Sequence, residues 1–451
     1  MIKSRISILV LLCFIVYSNV IVAQENTSKD TLKLPFAISD EKRLSDEDLA
    51  NKKEGTYFTG VPDLSSDPIN GFGYGGEGTI YFNGKKSDPF FNYTAYRAKM
   101  DIVLFNTTKQ QREIKLAVDI PYIFNTKWRL RGEAAYEINP NLLYFGINQS
   151  TTLPNLSYYP NSDSSQARVD NASYQNYSSN MIGANKLYNT YTKQEAILNL
   201  SMERSFLEGR LRALIGYEYA ALKLTPFTGN SMLQNDNAKG LITGVGKNNV
   251  SFVQVGLIYD TRDLETDPSQ GFFAELTNEL SLKAIGSQYN FNKTFGHVNY
   301  YHKLLPNVFK KLVFAGRIAM GYTAGNSPFY EYQDQWSSEG SIEGLGGGGT
   351  LRGYKQSRYL ARVMQFSNFE LRYRFAQFKL LNQHFALSAV PFFDFGGVWD
   401  NYSNFAKQFK NYRYNEGLGL RVAWNVNTIL RFDYAISKED HQFFFSLEHA
   451  F

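Results

Sequence analysis

The sequence predicts an all-β protein, a transmembrane antiparallel β-barrel of about sixteen strands, and three observations support this fold class. Apolar and polar residues alternate with period two from Thr56 to the end of the chain, as in strands with one apolar and one wet face. Aromatic residues make up 16% of the 451 residues, although the mean hydropathy is −0.34. Short and long connections alternate, as they do between the two ends of a membrane barrel.

The first element is a predicted signal peptide over residues 1–23. Lys3 and Arg5 precede an apolar run, and Ala23 offers a small residue for cleavage, which is the order of regions in a secretory leader. The single cysteine, Cys13, lies in this segment, so the mature chain is expected to contain no disulfide or Cys-based metal site. A lipid anchor at Cys13 and a membrane-anchor helix are the alternatives, but the residue before Cys13 is not small and the apolar run is short for a span of ~20 residues.

Residues 24–55 are charged and show no periodicity, and we expect them to form a short, flexible periplasmic tail. Residues 56–451 are expected to form the barrel. The first strand contains Gly60 and Pro62, which weaken a β-ladder because proline has no N–H to donate and glycine adds no packing. We therefore expect poor pairing between the first and the last strand, with ordinary fraying of a strand end as the alternative.

The alternation that defines the strands is clearest at residues 128–137, 195–203 and 369–375. In the last of these, the outward set alternates with a charged set: Phe369, Leu371, Tyr373 and Phe375 against Glu370, Arg372 and Arg374. A soluble β-sandwich also alternates and is the alternative fold. Charges directly behind large aromatic residues favour lipid on one face and a wet lumen on the other, and therefore the barrel.

The connections support the same fold. Those near 125–127 and 208–209 are short, whereas 148–190, 225–249 and 325–359 are long. Tight turns on the periplasmic side and long loops outside are typical of outer-membrane barrels. An even number of strands places both chain ends on the periplasmic side.

A glycine run in the long connection between the eleventh and twelfth strands is the most specific motif. Residues 344–349 are followed by Leu351, Arg352, Gly353 and Tyr354. Poly-glycine permits φ > 0 and close approach to a wall, so we expect this sixth outer loop to fold inward and to be anchored by Arg352. A mobile surface loop is the alternative. A nucleotide loop is disfavoured because no helical pattern or Gly-Lys-Ser/Thr follows.

An aspartate on a later strand is the expected partner of that arginine. In the segment 391–399, alternation turns Phe393 and Phe395 outward, so Asp394 points into the lumen. A carboxylate in this position suits a bidentate pair with Arg352. A solvated lumen charge is the alternative.

Two further segments carry recognisable patterns. Tyr259, Asp260, Arg262 and Asp263 end one strand, and Gly271 begins the next; we expect their charges to hold the turn between the strands, a structural role rather than a catalytic one. The chain closes with a strand from Phe443 to the C-terminus, on which Phe443, Phe445, Leu447 and Phe451 occupy alternate positions. An aromatic terminal residue of this kind resembles the recognition signal of outer-membrane barrels.

Together these segments resemble the outer-membrane assembly-factor superfamily, that is, the BamA/TamA-like and two-partner-secretion transporter barrels of the bacterial surface antigen family. Residues 351–354 match its (V/L)RG(F/Y) motif on the sixth outer loop, and residues 393–396 match the strand motif whose aspartate pairs with that arginine. Residues 259–263 with Gly271 match its YDTRD…GFF strand pair. The resemblance covers roughly residues 56–451 and implies a weak seam between the first and last strands.

The sequence departs from this family in three places, one of which is residues 422–430, where residues 425–428 replace the usual Ser-Pro-x-Gly-Pro turn. Glu448 stands in the last strand where a glycine is usual, which leaves the bend of that strand open. Members that insert or export proteins usually carry POTRA domains, but only about thirty residues separate the leader from the first strand here, and fewer than ~40 residues rarely form a core. We therefore expect a short member without POTRA domains.

The resemblance implies assistance to the insertion or translocation of proteins or lipids at the outer membrane of a Gram-negative cell; the sequence also resembles those of Bacteroidota. A passive outer-membrane channel and a structural subunit of a larger complex are the alternatives. Expected partners are outer-membrane lipid and other outer-membrane or periplasmic proteins. With a net charge of +5 and no basic run, nucleic acid is not expected. The five histidines stand in no nucleophile or metal motif, so no enzymatic activity, cofactor or metal is expected.

Overall fold

The computed structural model describes residues 33–67, 71–147, 153–160, 165–185, 187–227, 229–407 and 412–451. The predicted signal peptide, with Cys13, lies outside these residues. From Leu34 onward the described chain forms one compact unit. None of the helices in this part of the chain is long and apolar enough to cross a membrane.

Sixteen strands form one antiparallel sheet in which each strand pairs with the next one along the chain, which confirms the predicted β-barrel and its strand number. Their bounds are β1 Thr56–Asp67, β2 Gly71–Phe82, β3 Ala98–Thr107, β4 Arg112–Ile120, β5 Trp128–Leu143, β6 Thr190–Phe206, β7 Leu211–Pro226, β8 Gly246–Asp260, β9 Gly271–Ser281, β10 Phe291–Lys303, β11 Leu312–Gly325, β12 Val363–Leu380, β13 Gln383–Trp399, β14 Arg413–Trp424, β15 Thr428–Ile436 and β16 His441–Leu447. The helices are α1 Asp46–Asn51, α2 Tyr174–Asn185, α3 Met232–Ala238 and α4 Tyr402–Lys407.

The sheet is apolar on its exposed face and polar on its buried face. On β6, Leu198, Leu200 and Met202 are exposed, whereas Ser201 and Glu203 are buried. This is the reverse of a soluble protein, in which large apolar side chains are the buried ones. The pattern therefore fits a barrel with lipid outside and a polar lumen inside, and it counts against the β-sandwich.

The connections divide into two sets at the two ends of the barrel. The turn end, where the chain enters β1 and leaves β16, carries short connections such as residues 207–210 and the two-residue turn between β12 and β13. In that turn Leu381 and Asn382 have φ of 48° and 58°, as in the type I′ turns that match strand twist. The loop end carries the long connections, including residues 144–189 and 326–362.

Residues 33–55 differ from the expected flexible tail, because they fold against the turn end. Ser45 caps α1 by accepting a hydrogen bond from the Asp48 amide at 3.1 Å. Leu44 is buried in an apolar cluster with Tyr81 and Leu264. Because isolated apolar residues such as Leu44 hold this segment in place, its sequence shows no regular apolar period.

The last strand also differs from the expectation, since β16 ends at Leu447 rather than at Phe451. Glu448 adopts φ 68°, and the chain turns into the lumen. Phe451 packs there against Tyr301, and the Arg372 guanidinium donates a hydrogen bond to the Phe451 carbonyl at 2.9 Å. These contacts draw the terminal aromatic residue away from the lipid face.

Candidate functional site: a loop anchor inside the barrel

The connection between β11 and β12 enters the lumen, and we call it the inward loop (residues 326–362). It descends along the wall of the barrel, where Lys293 on β10 pairs with Glu331 at 2.8 Å. At its deep end the Ser338 amide donates to the Glu275 carboxylate at 2.8 Å. A two-residue hairpin, Asp334–Gln335 with Ile342–Glu343, folds the loop back on itself.

The glycine run makes the return turn of the inward loop possible. Gly346 and Gly347 have φ of 115° and 103°, a region that glycine adopts without steric cost. A Cβ at Gly346 would lie 2.2 Å from the Lys355 carbonyl oxygen. Thr350 closes the turn, because its hydroxyl donates to the Gly344 carbonyl at 3.1 Å and accepts from the Gly346 amide at 2.9 Å.

Arg352 follows this turn and is fully buried against β13. Its Nε donates to Asp394 Oδ2 at 2.9 Å, and its Nη2 donates to Asp394 Oδ1 at 2.7 Å, which is a bidentate pair. The guanidinium carbon lies 3.5 Å from the centre of the Phe392 ring, a cation–π contact. Asn415 and Asn368 each donate to Asp394 at 2.8 Å, so its oxygens are well satisfied.

Two more carboxylates, which the sequence analysis did not single out, complete the anchor. Arg352 Nη1 pairs with Glu370 at 2.7 Å on β12 and with Asp433 at 3.0 Å on β15. Arg421 also bridges Glu370 and Asp433, and Arg372 pairs with Glu370 at 2.8 Å. With Arg431, which lies 3.8 Å from Asp433, four guanidinium groups surround these three carboxylates within the lumen.

The other residues of the loop motif lie around Arg352. Leu351 is buried in the apolar cluster that also contains Leu345. Gly353 packs so tightly that a Cβ would come 2.6 Å from the Asn415 side chain. The Tyr354 hydroxyl donates to the Tyr414 carbonyl at 3.3 Å. These contacts hold the loop motif on β13, β14 and β15.

The predicted strand–turn motif lies elsewhere, at the turn end between β8 and β9. Asp260 and Arg262 form a buried pair, with Nη2 and Oδ2 3.1 Å apart, and Arg262 also reaches Glu339 of the inward loop at 2.6 Å. Asp263 shapes the turn by accepting from the Ser269 amide at 2.9 Å. Gly271 is required by its φ of 104°, since a Cβ there would lie 2.2 Å from the Thr261 carbonyl oxygen.

The outward residues of the motifs face the membrane side. Tyr259, Phe443 and Phe445 are exposed apolar side chains of the barrel, and Leu447 ends β16. Phe451 lies apart from them, in the lumen.

Side chains join the first three strands to the start of β15 and to the residue after β16, and we call this region the seam. The Thr59 hydroxyl on β1 lies 2.9 Å from the Thr428 hydroxyl at the start of β15, and the Tyr81 hydroxyl donates to the Asn427 carbonyl at 3.1 Å. Lys99 on β3 pairs with Glu448 at 3.0 Å. β1 thus meets the start of β15 at the point where the C-terminal residues turn inward.

The fold and the anchor define a class of protein: a sixteen-stranded outer-membrane type of barrel whose lumen holds an arginine-anchored loop. Residues 102–451 match the Omp85 superfamily domain, and the chain belongs to this superfamily, whose barrels are outer-membrane proteins. Residues 34–97 match a domain of unknown function (DUF5982).

Solved structures share the fold. CdiB from Escherichia coli matches with a TM-score of 0.50 and 10% identity, over 87% of this chain and 62% of that chain. BamA from Haemophilus ducreyi lacking POTRA domains 1-3 (TM-score 0.49, 15% identity, 88% of this chain and 69% of that chain) and CdiB from Acinetobacter baumannii (0.44, 12%, 87% and 59%) are also similar. A comparison with curated proteins found no match.

Proposed function

We propose that this barrel assists the insertion or translocation of proteins, or of lipids, at the outer membrane, with outer-membrane lipid and other outer-membrane or periplasmic proteins as its partners. The observation that carries the proposal is the seam. β16 ends at Leu447 and has only seven residues, whereas β1 has twelve. A short last strand next to side-chain bridges is a place where a barrel can open towards the membrane, which insertion into a bilayer requires.

The buried anchor supports the same function over a passive channel. A channel needs an open lumen, but Asp394 and Glu370 on the barrel wall have almost no exposed surface because Arg352 of the inward loop packs on them. The loop occupies space that a solute would need.

A reversible crosslink across the seam tests the proposal. Thr59→Cys combined with Thr428→Cys replaces two hydroxyls that lie 2.9 Å apart, so the two sulfur atoms would face each other across the seam. The chain has one other cysteine, Cys13, and a Cys13→Ala background removes it. The purified protein is reconstituted in liposomes with an unfolded outer-membrane barrel, and protease protection of that client is measured over time.

We expect faster client insertion than in empty liposomes, loss of this gain in the oxidised double variant, and recovery on reduction. The matched control is Ile215→Cys with Val255→Cys, a pair directly opposite each other on β7 and β8, where a disulfide joins strands that are already paired. Equal insertion by the oxidised and reduced seam variants would exclude opening at this seam.

A further inference from the structure

Residues 36–55 cross the turn end of the barrel, and we call them the strap. The strap contacts the connections that follow β2, β6, β10 and β14. The contacts are Leu44 N to Asn92 O (2.8 Å), Ser39 N to Glu208 O (2.9 Å), Glu47 to Lys310 (3.5 Å), and Leu44 packed in one cluster with Val426. Because these connections are four strands apart in a sixteen-strand ring, the strap lies across the opening and does not follow its rim.

Lys42 fixes the middle of the strap. Its ammonium lies 2.8 Å from Asp260 Oδ1 on β8, and both side chains are largely buried. The same oxygen accepts from the Arg262 backbone amide at 3.0 Å and from Arg262 Nε at 3.1 Å. Lys42 therefore holds the carboxylate that orients the Arg262 side chain.

Arg262 continues the connection into the inward loop, since its Nη2 pairs with Glu339 at 2.6 Å. The neighbouring ion pairs make the cluster neutral while Lys42 is in place. Its cations are Lys42, Arg129, Arg131, Arg212 and Arg262, and its carboxylates are Asp119, Glu203, Asp260, Glu265 and Glu339. Withdrawal of the strap would leave one carboxylate in excess, next to the pair that holds the loop.

We propose that the strap and the deep end of the inward loop are coupled through Asp260 and Arg262, so that displacing either one loosens the other. The strap is then a regulatory element, because an event at the turn end that displaces the strap also loosens the inward loop. The coupling goes beyond the proposed function. Because it is measured without a client protein, a negative result would refute the coupling and leave the proposed role in insertion unaffected.

The extent of the domain of unknown function supports a strap that is built as a unit. Its residues, 34–97, comprise the strap, β1, β2 and the following connection. That connection holds the strap, because Lys52 Nζ donates to the carbonyls of Phe91 and Thr94 at 2.5 and 2.6 Å. The matched region thus contains the strap together with the first of the connections that seat it.

A double-mutant cycle tests the coupling without a client. Hydrogen exchange is measured by mass spectrometry on the full chain in nanodiscs, for the peptides 36–55 and 334–343. Lys42→Met removes the ammonium and keeps the aliphatic stem, and Glu339→Gln removes the loop carboxylate. We expect each single variant to raise exchange of both peptides by about fivefold, the lower end of coupling between sites, and the double variant to show less than the product of the two effects.

The control is Arg43→Met, which changes the adjacent cation, paired with Asp46 at the surface, and should leave both peptides unchanged. The coupling is refuted if each variant loosens only its own segment, or if the double variant equals the product of the singles. It is also refuted if Arg43→Met acts like Lys42→Met. If gel mobility shows that Lys42→Met does not fold, the test rests on Glu339→Gln. This variant changes the inward loop, so faster exchange of the strap peptide 36–55 would still show the coupling, and unchanged exchange would refute it.

Discussion

Arg352 shows why one residue type is needed at the centre of the anchor. Its planar fork reaches Asp394 with two nitrogens and still offers Nη1 to Glu370 and Asp433. A lysine ammonium is a compact point charge and cannot span these partners in the same geometry. Without the arginine, Asp394 would lose its one ion-pair partner among the described residues.

Replacing Arg352 by alanine should therefore release the inward loop. Removing one partner from a buried ion cluster costs ~3–5 kcal/mol, because the remaining charges stay buried. We expect a lower urea midpoint for the unfolding of the barrel and loss of client insertion. The matched control is Lys355→Ala on the same loop, which removes a more exposed ion pair with Asp440 and should cost about 1 kcal/mol or less.

The reciprocal exchange of Arg352 and Asp394 separates an isolated pair from a shared cluster. If the two residues acted alone, Arg352→Asp with Asp394→Arg would restore much of the stability. In this structure the new carboxylate at 352 would face Glu370 and Asp433, the partners of Arg352 Nη1. We expect no rescue in the unfolding midpoint, and a substantial rescue would show that Glu370 and Asp433 contribute little.

The strap contains a residue that should make its docking depend on pH. Burial lowers the pKa of the Lys52 ammonium to about 7, with Asp88 opposing the shift and Arg97 adding to it. Above that pKa and below the ordinary value for lysine, the released strap binds a proton that the docked strap does not. Docking should therefore strengthen as pH rises from about 7, by at most ~1.4 kcal/mol per pH unit, and should weaken as pH falls towards 7.

Hydrogen exchange of the peptide 36–55 between pH 6.5 and 9.5, corrected for the intrinsic rate, checks this dependence. Lys52→Met should show a flatter profile than the wild type. The pKa of Lys42 is also lowered by burial, so the difference between the two proteins is the informative quantity. Identical profiles would show that Lys52 does not carry the effect.

At the scale of the elements, alternation predicts the strands because lipid and water impose opposite demands on the two faces. The same rule predicts that Asp394 points inward next to Arg352. It does not reveal Glu370 and Asp433 as partners, because they reach the arginine only through the register of four strands. The strap escapes prediction because its anchors, such as Lys42 and Leu44, contact turns that are distant in sequence.

The inward bend after β16 places a non-glycine residue in a backbone conformation that favours glycine. Glu448 has φ 68°, a conformation that costs a non-glycine residue ~1–3 kcal/mol, and it is partly offset by the ion pair with Lys99. Glu448→Gly should relieve the strain and lose the weak pair, so the unfolding free energy should stay level or rise by ~1 kcal/mol. Glu448→Val should lower it, since a β-branched residue fits this conformation poorly.

Unfolding in urea, followed by gel mobility, distinguishes the two variants. Lys99→Met is the control that removes the ion pair and keeps the backbone. If Glu448→Gly destabilises the barrel as much as Glu448→Val, the side chain of Glu448 matters more than its backbone conformation.

At the scale of the whole molecule, both ends of the lumen are covered by the chain itself. The strap lies across the turn end. At the loop end, Arg358 of the inward loop donates to the Pro154 carbonyl at 3.0 Å, and the Tyr174 amide donates to the Glu439 carbonyl at 2.7 Å. The described part of the long β5–β6 connection thus contacts the inward loop at Pro154.

This packing predicts a barrel that conducts poorly. In planar bilayers we expect rare, brief openings of the wild type and longer openings of Arg352→Ala, because release of the anchor frees the inward loop. Lys355→Ala should behave like the wild type. A large, steady conductance of the wild type would favour the passive channel over the assembly function.

The position of Phe451 has a practical consequence for anyone who handles this protein. Its backbone carbonyl is hydrogen-bonded to Arg372 inside the lumen, so an affinity tag or fluorescent fusion added at this terminus would have to thread through the barrel or pull the last residues out of it. A label is better placed in an exposed loop-end connection, where Phe451 keeps its contact with Arg372.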